Sequence, residues 1–250
     1  MTFLQMFNEA KAREAPAGRR IYAIGDVHGR ADLLDALLEK IHADKETGGF
    51  EGAPILVFVG DYIDRGLQSR AVIDRLLGLA EAGYEPIFLK GNHEAALMTF
   101  LDRPETGAVW FAIGGAETLF SYGVPTPKPG ASPTEWRFAS RALRAAMPQS
   151  HLRFFARLQL TAQLGGYLFV HAGLRPGEPL AKQTETDMLE IRQPFLNTKR
   201  KWPFTIVHGH TPFDAVTAKP GRIAIDTGAY ATGKLSAVRL QGAEVGVLST

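Results

Sequence analysis

The sequence predicts an α/β protein, and three observations carry that expectation. From Ile21 onward, short apolar strand-like runs alternate with amphipathic helical stretches, the pattern of β-α units feeding a parallel sheet. The second half breaks instead into closely spaced strand-like runs, which points to a mixed or antiparallel sheet. With 250 residues and 45% apolar side chains, one domain has enough material to close its own core.

The elements follow in order. Residues 1–19 end in a Pro/Gly/Arg-rich stretch and read as an N-terminal arm, so the domain is expected over residues 20–250. Ile21 to Ile24 reads as a buried strand, and Leu33, Leu34, Leu37, Leu38 and Ile41 then share one helical stripe. The step repeats with a strand over 55–59, a helix over 69–82 and a strand over 86–89 that leads into a helix after Asn92. Residues 105–158 read as helical with a break at the Pro-rich 121–130. The restart is marked by Ser132 as N-cap, Pro133 at the first helical position and Glu135 as capping-box partner. "LQLTAQL", "GYLFVHAG", "FTIVHGH", "RIAIDTG", "LSAVRL" and "AEVGVL" supply the later strands.

Composition excludes several classes of function. The 28 basic and 26 acidic side chains leave a net charge of +2 with neither sign in a long run, so a nucleic-acid partner is not expected. Without cysteine, any metal must be held by nitrogen and oxygen. The apolar runs are shorter than a membrane span and the first twenty residues lack a secretory apolar stretch, so no membrane partner and a cytoplasmic location are expected. Oligomeric state is not encoded in these features, and a monomer is compatible with them.

Five strand-like runs end at turns rich in Gly with His, Asp or Asn: "IYAIGDVHGR", "LVFVGDYIDRG", "IFLKGNHE", "LFVHAGL" and "TIVHGHTP". Strand tips of one sheet face one edge, which would gather Asp26, His28, Asp61, Asp64, Asn92, His93, His171, His208 and His210. Asp26 and His28 stand two apart, so on extended backbone both would reach one ion; Asn92 and His93 are adjacent and would diverge. Carboxylate, imidazole and amide together suit Mn, Fe or Zn better than Ca.

In order and type these motifs resemble the metallophosphoesterase (calcineurin-like) superfamily. The fuller forms "GDVHGR", "GDYIDRG" and "GNHE" resemble its serine/threonine protein phosphatase branch, above all the bacterial and phage members. The resemblance covers residues 20–250 and implies an αββα sandwich: two mixed β-sheets packed face to face and flanked by helices. It further implies two divalent ions, first of all Mn2+ with Fe or Zn as alternatives. Asp26, His28 and a bridging Asp61 would hold one ion, and Asp61, Asn92, His171 and His210 the other. The implied activity is phosphomonoester hydrolysis on a phosphorylated protein or peptide, by in-line attack of a hydroxide shared by the two ions. His93, held by Asp64, would be the general acid, and Arg65 and Arg192 would clamp the phosphate. Arg192 departs from the pattern, because an aromatic usually stands two places before it and here that residue is Glu190.

Two rival functions belong beside this one. Dinucleoside polyphosphate (diadenosine tetraphosphate) hydrolases of the superfamily share most ligands but tend to carry alanine where this chain has Asp64. An inactive phosphoprotein-binding module ranks last, since no motif has decayed. His208 falls outside the ligand pattern and is expected to orient a neighbouring ligand. Tyr230 divides evenly between substrate contact and packing. His42 and His151 read as solvated or structural, and Arg175 as a surface arginine. Gly228 to Leu235 nearly spells a phosphate-binding loop, but it ends in Leu235 and runs into a strand pattern, which argues against nucleotide binding there.

Overall fold

The structure, a computed structural model, describes residues 13–47 and 50–250. Its elements are β1 (Arg20–Ile24), α1 (Ala31–Thr47), β2 (Ile55–Phe58), α2 (Ser69–Leu77), β3 (Glu85–Phe88), α3 (Asn92–Asp102), α4 (Gly107–Ala112), α5 (Gly115–Ser121), α6 (Pro133–Ala146) and α7 (Gln149–Ala156). There follow β4 (Thr161–Leu164), β5 (Tyr167–Val170), α8 (Glu185–Glu190), α9 (Gln193–Leu196), β6 (Thr205–His208), β7 (Thr217–Lys219), β8 (Arg222–Ala224), α10 (Ala229–Thr232), β9 (Ser236–Gln241) and β10 (Glu244–Ser249).

Two five-stranded sheets form, in the orders β10-β9-β1-β2-β3 and β4-β5-β6-β8-β7. β1, β2 and β3 run parallel, while β9 and β10 return antiparallel. In the second sheet β5, β6 and β8 are parallel, with antiparallel β4 and β7 at the edges. The period-2 alternation of each strand divides its side chains between two environments. Ile21, Ala23, Val57, Phe169, Val207, Ile223 and Val238 meet between the sheets. Tyr22, Ile24, Leu56 and Phe58 point outward under the helices of the first half, and Leu168, Val170 and Ile206 pack under Phe195 and Trp202 on the other side. The result is the two-sheet sandwich flanked by helices.

Several expectations change in detail. The strand expected over 86–89 occupies Glu85–Phe88, and the second helix stops at Leu77 because residues 78–83 form turns leading to Gly83 with positive φ. β7 escaped the pattern reading; three residues at a sheet edge are too short for periodicity to register. Ser132 and Glu135 form the expected capping box. Of the expected arm, residues 1–12 lie outside the described residues. In the rest, Ala15 is buried, its N–H donates to the Gly242 carbonyl, and Arg19 pairs with Glu85. No helix among the described residues is long and apolar enough to cross a membrane.

Candidate active site

The site lies where the C-terminal ends of β1, β2, β3, β5 and β6 open onto one edge. It is built on strained backbone. Among the described residues the non-glycine residues with positive φ are His28, Asp61, Asp64, Arg65 and His210, all of them site candidates. Each such conformation costs on the order of 1–3 kcal/mol, which the surrounding contacts must offset. The left-handed turn at His28 also replaces the extended backbone expected between Asp26 and His28. Asn92 and His93 likewise diverge because they occupy the first turn of α3 rather than a strand.

Asp61 is the centre. His28 Nε2 lies 3.6 Å and His171 Nε2 3.4 Å from Asp61 Oδ2, with His93 Nε2 at 3.8 Å. Two overlapping groups, His28–Asp61–His93 and Asp61–His171–His210, hold their donor atoms within 4.8 Å of one another. Asn92 Oδ1 stands 3.0 Å from both His171 Nε2 and His210 Nδ1. Asp26 joins from below: Oδ2 accepts the His210 N–H at 3.0 Å, while the buried Oδ1 has no partner.

Backbone carbonyls select the imidazole tautomers. His28 Nδ1 donates to the Ile63 carbonyl and His171 Nδ1 to the Val59 carbonyl, both at 2.9 Å, which leaves each Nε2 as a lone pair facing Asp61. Burial pushes His28 and His210 down to about 3, so these rings are neutral near pH 7. Burial and the neighbouring Asp226 and Asp61 raise the Asp26 carboxyl well above its ordinary value. Several buried carboxylates, neutral imidazole lone pairs and an unpartnered Asp26 oxygen together form a donor set that fits divalent cations, the cofactor class the family implies.

His93 stands apart in its bonding. Its Nδ1 is 2.7 Å from Asp64 Oδ2, and its buried Nε2 has no hydrogen-bond partner. Burial works against the imidazolium, but Asp61 and Asp64 outweigh it and raise the His93 pKa. Asp64 itself is fully buried, with Trp110 Nε1 donating to Oδ2 at 2.9 Å and Thr118 Oγ1 to Oδ1 at 2.6 Å.

Two arginines border the opening. Arg65 Nη1 lies 3.1 Å from His28 Nε2, and its guanidinium sits 4.7 Å over the half-exposed Tyr230 ring. Tyr230 also stands edge-on to His28 at 5.4 Å. Arg192 is exposed at the start of α9, 3.5 Å from Thr211 Oγ1, and its charge is felt by His171 and His210. Arg175 is occupied elsewhere, paired with Asp187. His208 packs edge-on against Phe195, and its Nδ1 donates to the Gly209 carbonyl rather than to a candidate ligand. His151 bridges Tyr122 and Asp74, His42 is exposed, and the loop-like 228–235 segment runs into β9.

Four participants escaped the sequence reading. Glu94, fully buried, accepts N–H donors from Asp61, Tyr62 and Gly91 at 2.9, 2.8 and 3.0 Å, stitching two loops together. Its signal was local: an acid three residues after an N-cap. A side chain on Gly91 would overlap Asp61 Oδ1, so glycine is required there. Asp226, raised to about 6 by burial, lies beside Asp26, and only its position after an apolar run hinted at it. Trp110 and Thr118 reach Asp64 from another segment and gave no local signal.

Comparisons with known proteins bear on the family and the fold. The profile of the calcineurin-like phosphoesterase family matches residues 19–240. Serine/threonine-protein phosphatase 2 of Escherichia coli is 26% identical, covering 89% of this chain and 94% of its own. The asymmetrical bis(5'-nucleosyl)-tetraphosphatase of Anoxybacillus flavithermus is also 26% identical, covering 86% and 88%. A crystal structure of a candidate diadenosine tetraphosphatase shares the fold with a TM-score of 0.61, at 20% identity over 95% of this chain and 98% of the other. Since the family profile spans nearly the whole sandwich and both of its sheets, the chain belongs to the calcineurin-like phosphoesterase family and is one of its hydrolases.

Proposed function

We propose that this protein is a metal-dependent phosphomonoesterase acting on phosphoserine and phosphothreonine in proteins or peptides. The observation that carries the reading is the buried His93–Asp64 pair with a free Nε2. A serine alkoxide is a strong base and leaves only with a proton, whereas a nucleotide phosphate is a weak base and leaves without one.

Asp26, His28 and Asp61 would hold one divalent ion, and Asp61, Asn92, His171 and His210 a second. Manganese suits this oxygen and imidazole set, with iron or zinc as substitutes. When bound, the pair supplies neutralisation of phosphoryl charge and an acidified water. The chain's own residues perform the rest. Arg65 and Arg192 grip phosphate oxygens and align the ester bond with the attacking water. As the new P–O bond forms and the bond to the serine oxygen breaks, His93 Nε2 gives its proton to that oxygen. Asp64 stays ionised and holds the ring, and no side chain becomes phosphorylated. His93 belongs to one of the groups with ligand spacing, but its bond to Asp64 and its raised pKa suit a proton donor better than a ligand.

A second reading, cleavage of a dinucleoside tetraphosphate, is favoured by relatives named for that activity at the same 26% identity. Tyr230 beside Arg65 offers a ring on which a base could stack. The test is direct. Chelator-stripped protein reloaded with manganese is given a phosphoserine/phosphothreonine peptide and, separately, diadenosine tetraphosphate. Faster, manganese-dependent phosphate release from the peptide is expected; preferred cleavage of the dinucleotide would replace the first reading by the second.

A further inference from the structure

Asp64 has more bonds than an ordinary partner of a catalytic histidine needs. Oδ2 is shared by His93 Nδ1 and Trp110 Nε1, Oδ1 accepts from Thr118, and the Asp64 N–H lies 3.1 Å from Ser69 Oγ and 3.0 Å from Thr118 Oγ1. His93, Asp64, Trp110, Thr118 and Ser69 are all at most 1% exposed, so water cannot replace a missing donor. Trp110 and Thr118 come from the α4–α5 elbow, 46 and 54 residues away from Asp64 in sequence.

The elbow is shaped to deliver them. A side chain on Gly115 would overlap the Trp110 indole, and the Phe100 ring lies 4.9 Å from it, so the indole is packed closely by both. The same elbow turns at Gly114, whose carbonyl accepts the Arg65 N–H at 3.1 Å. One segment thus fixes the aspartate behind the histidine and the backbone of the arginine beside it.

We propose that Trp110 and Thr118 are positioning residues for proton transfer: they fix the Asp64 carboxylate so that His93 Nδ1–H can bond it in only one ring orientation, which aims Nε2 at the leaving oxygen. This inference rests on the reading of His93 as general acid. The elbow is then part of the reaction machinery, although neither residue touches substrate.

Leaving-group dependence tests it. Phenyl phosphate releases a basic oxygen that needs a proton, and 2,4-dinitrophenyl phosphate releases one that does not. In manganese-loaded protein, Trp110→Phe should slow phenyl phosphate about tenfold, the size of one lost charge-assisted hydrogen bond, while changing the dinitrophenyl ester less than about threefold. Thr118→Val should behave alike and Thr118→Ser should recover. In zinc-loaded, diamagnetic protein, the downfield proton resonance of His93 Nδ1–H should weaken in Trp110→Phe. A double variant Trp110→Phe/His93→Ala should equal His93→Ala on both esters, because a residue acting through His93 has nothing left to position. Equal slowing of both esters, or further slowing in the double variant, would overturn the role of the elbow while leaving His93 intact. A His93→Ala variant without leaving-group bias would remove the acid itself, and the inference with it. If Trp110→Phe fails to fold, the Thr118 pair decides by the same criteria.

Discussion

At the scale of single residues, the site trades stability for chemistry. Asp26 is buried with one unpartnered oxygen, and Asp226 and Asp61 both disfavour its charge. A carboxyl whose folded pKa is raised costs stability once the pH passes its unfolded value, and the cost grows until the folded group also ionises. Asp26→Asn keeps an oxygen for the His210 N–H and removes the charge. The metal-free variant should melt several degrees higher than metal-free wild type near pH 7, with the gain vanishing toward about pH 3, where the carboxyl is protonated in both the folded and the unfolded state; calorimetry across that range checks it. Metal content after reconstitution should fall in the same variant. The two histidine roles separate by a second pair of substitutions. His93→Ala should lower turnover by a hundredfold or more yet keep its metal, because a general acid contributes about 10²–10⁴-fold and holds no ion. Asp61→Ala should lose metal outright, as measured by elemental analysis. Equal metal loss in both would make His93 a ligand.

At the scale of elements, legibility in the sequence followed distance along the chain. Asp26, His28, Asp61, Asn92, His171 and His210 were readable as candidates because each sits at the tip of an apolar run, and their convergence follows from sheet topology. Trp110 and Thr118 were not, since their meaning depends on an elbow folding back across Asp64. Nor was the backbone strain at His28 and Asp61, which is imposed by tertiary bonds such as those of Glu94. His151 read as either solvated or structural, and its partners, which make it structural, were not legible. It ties α7 to α2 through Asp74 at 3.0 Å and to Tyr122, just after α5, at 2.8 Å. Burial lowers its pKa despite Asp74. The sign follows: above its unfolded pKa near 6.5 both states are neutral, and below it the unfolded chain gains a proton that the fold resists, so stability falls as pH falls. His151→Gln should be less stable than wild type at pH 7.5, with the gap narrowing toward pH 5.5. Urea unfolding at both values measures it, and a constant gap would mean that His151 does not titrate in this window.

For the whole molecule, the proposed ligand set spans the sandwich. Asp26, Asp61 and Asn92 follow strands of the first sheet, and His171 and His210 follow strands of the second. Ions held between them would link the two sheets at the end where the site opens, adding to the shared core of Phe169, Val207, Val57 and Val238. A ligand that binds only the folded state stabilises by mass action, about 2.7 kcal/mol per site at a free concentration a hundredfold above Kd. For a chain of this size each kcal/mol raises Tm by roughly 2–4 °C, so saturating one site should raise Tm by about 5–11 °C. Because both sheets contribute ligands, the rise should be a single transition, with amide protection increasing together in β2 of the first sheet and β5 of the second. His93→Ala should keep the shift, since His93 bonds to Asp64 and is proposed as the acid rather than as a ligand. Asp61→Ala should lose most of it, because Asp61 lies in both groups with ligand spacing. A shift retained in Asp61→Ala, or protection confined to one sheet, would show that the ions bind outside the shared centre and leave the sandwich to stand on its apolar core alone.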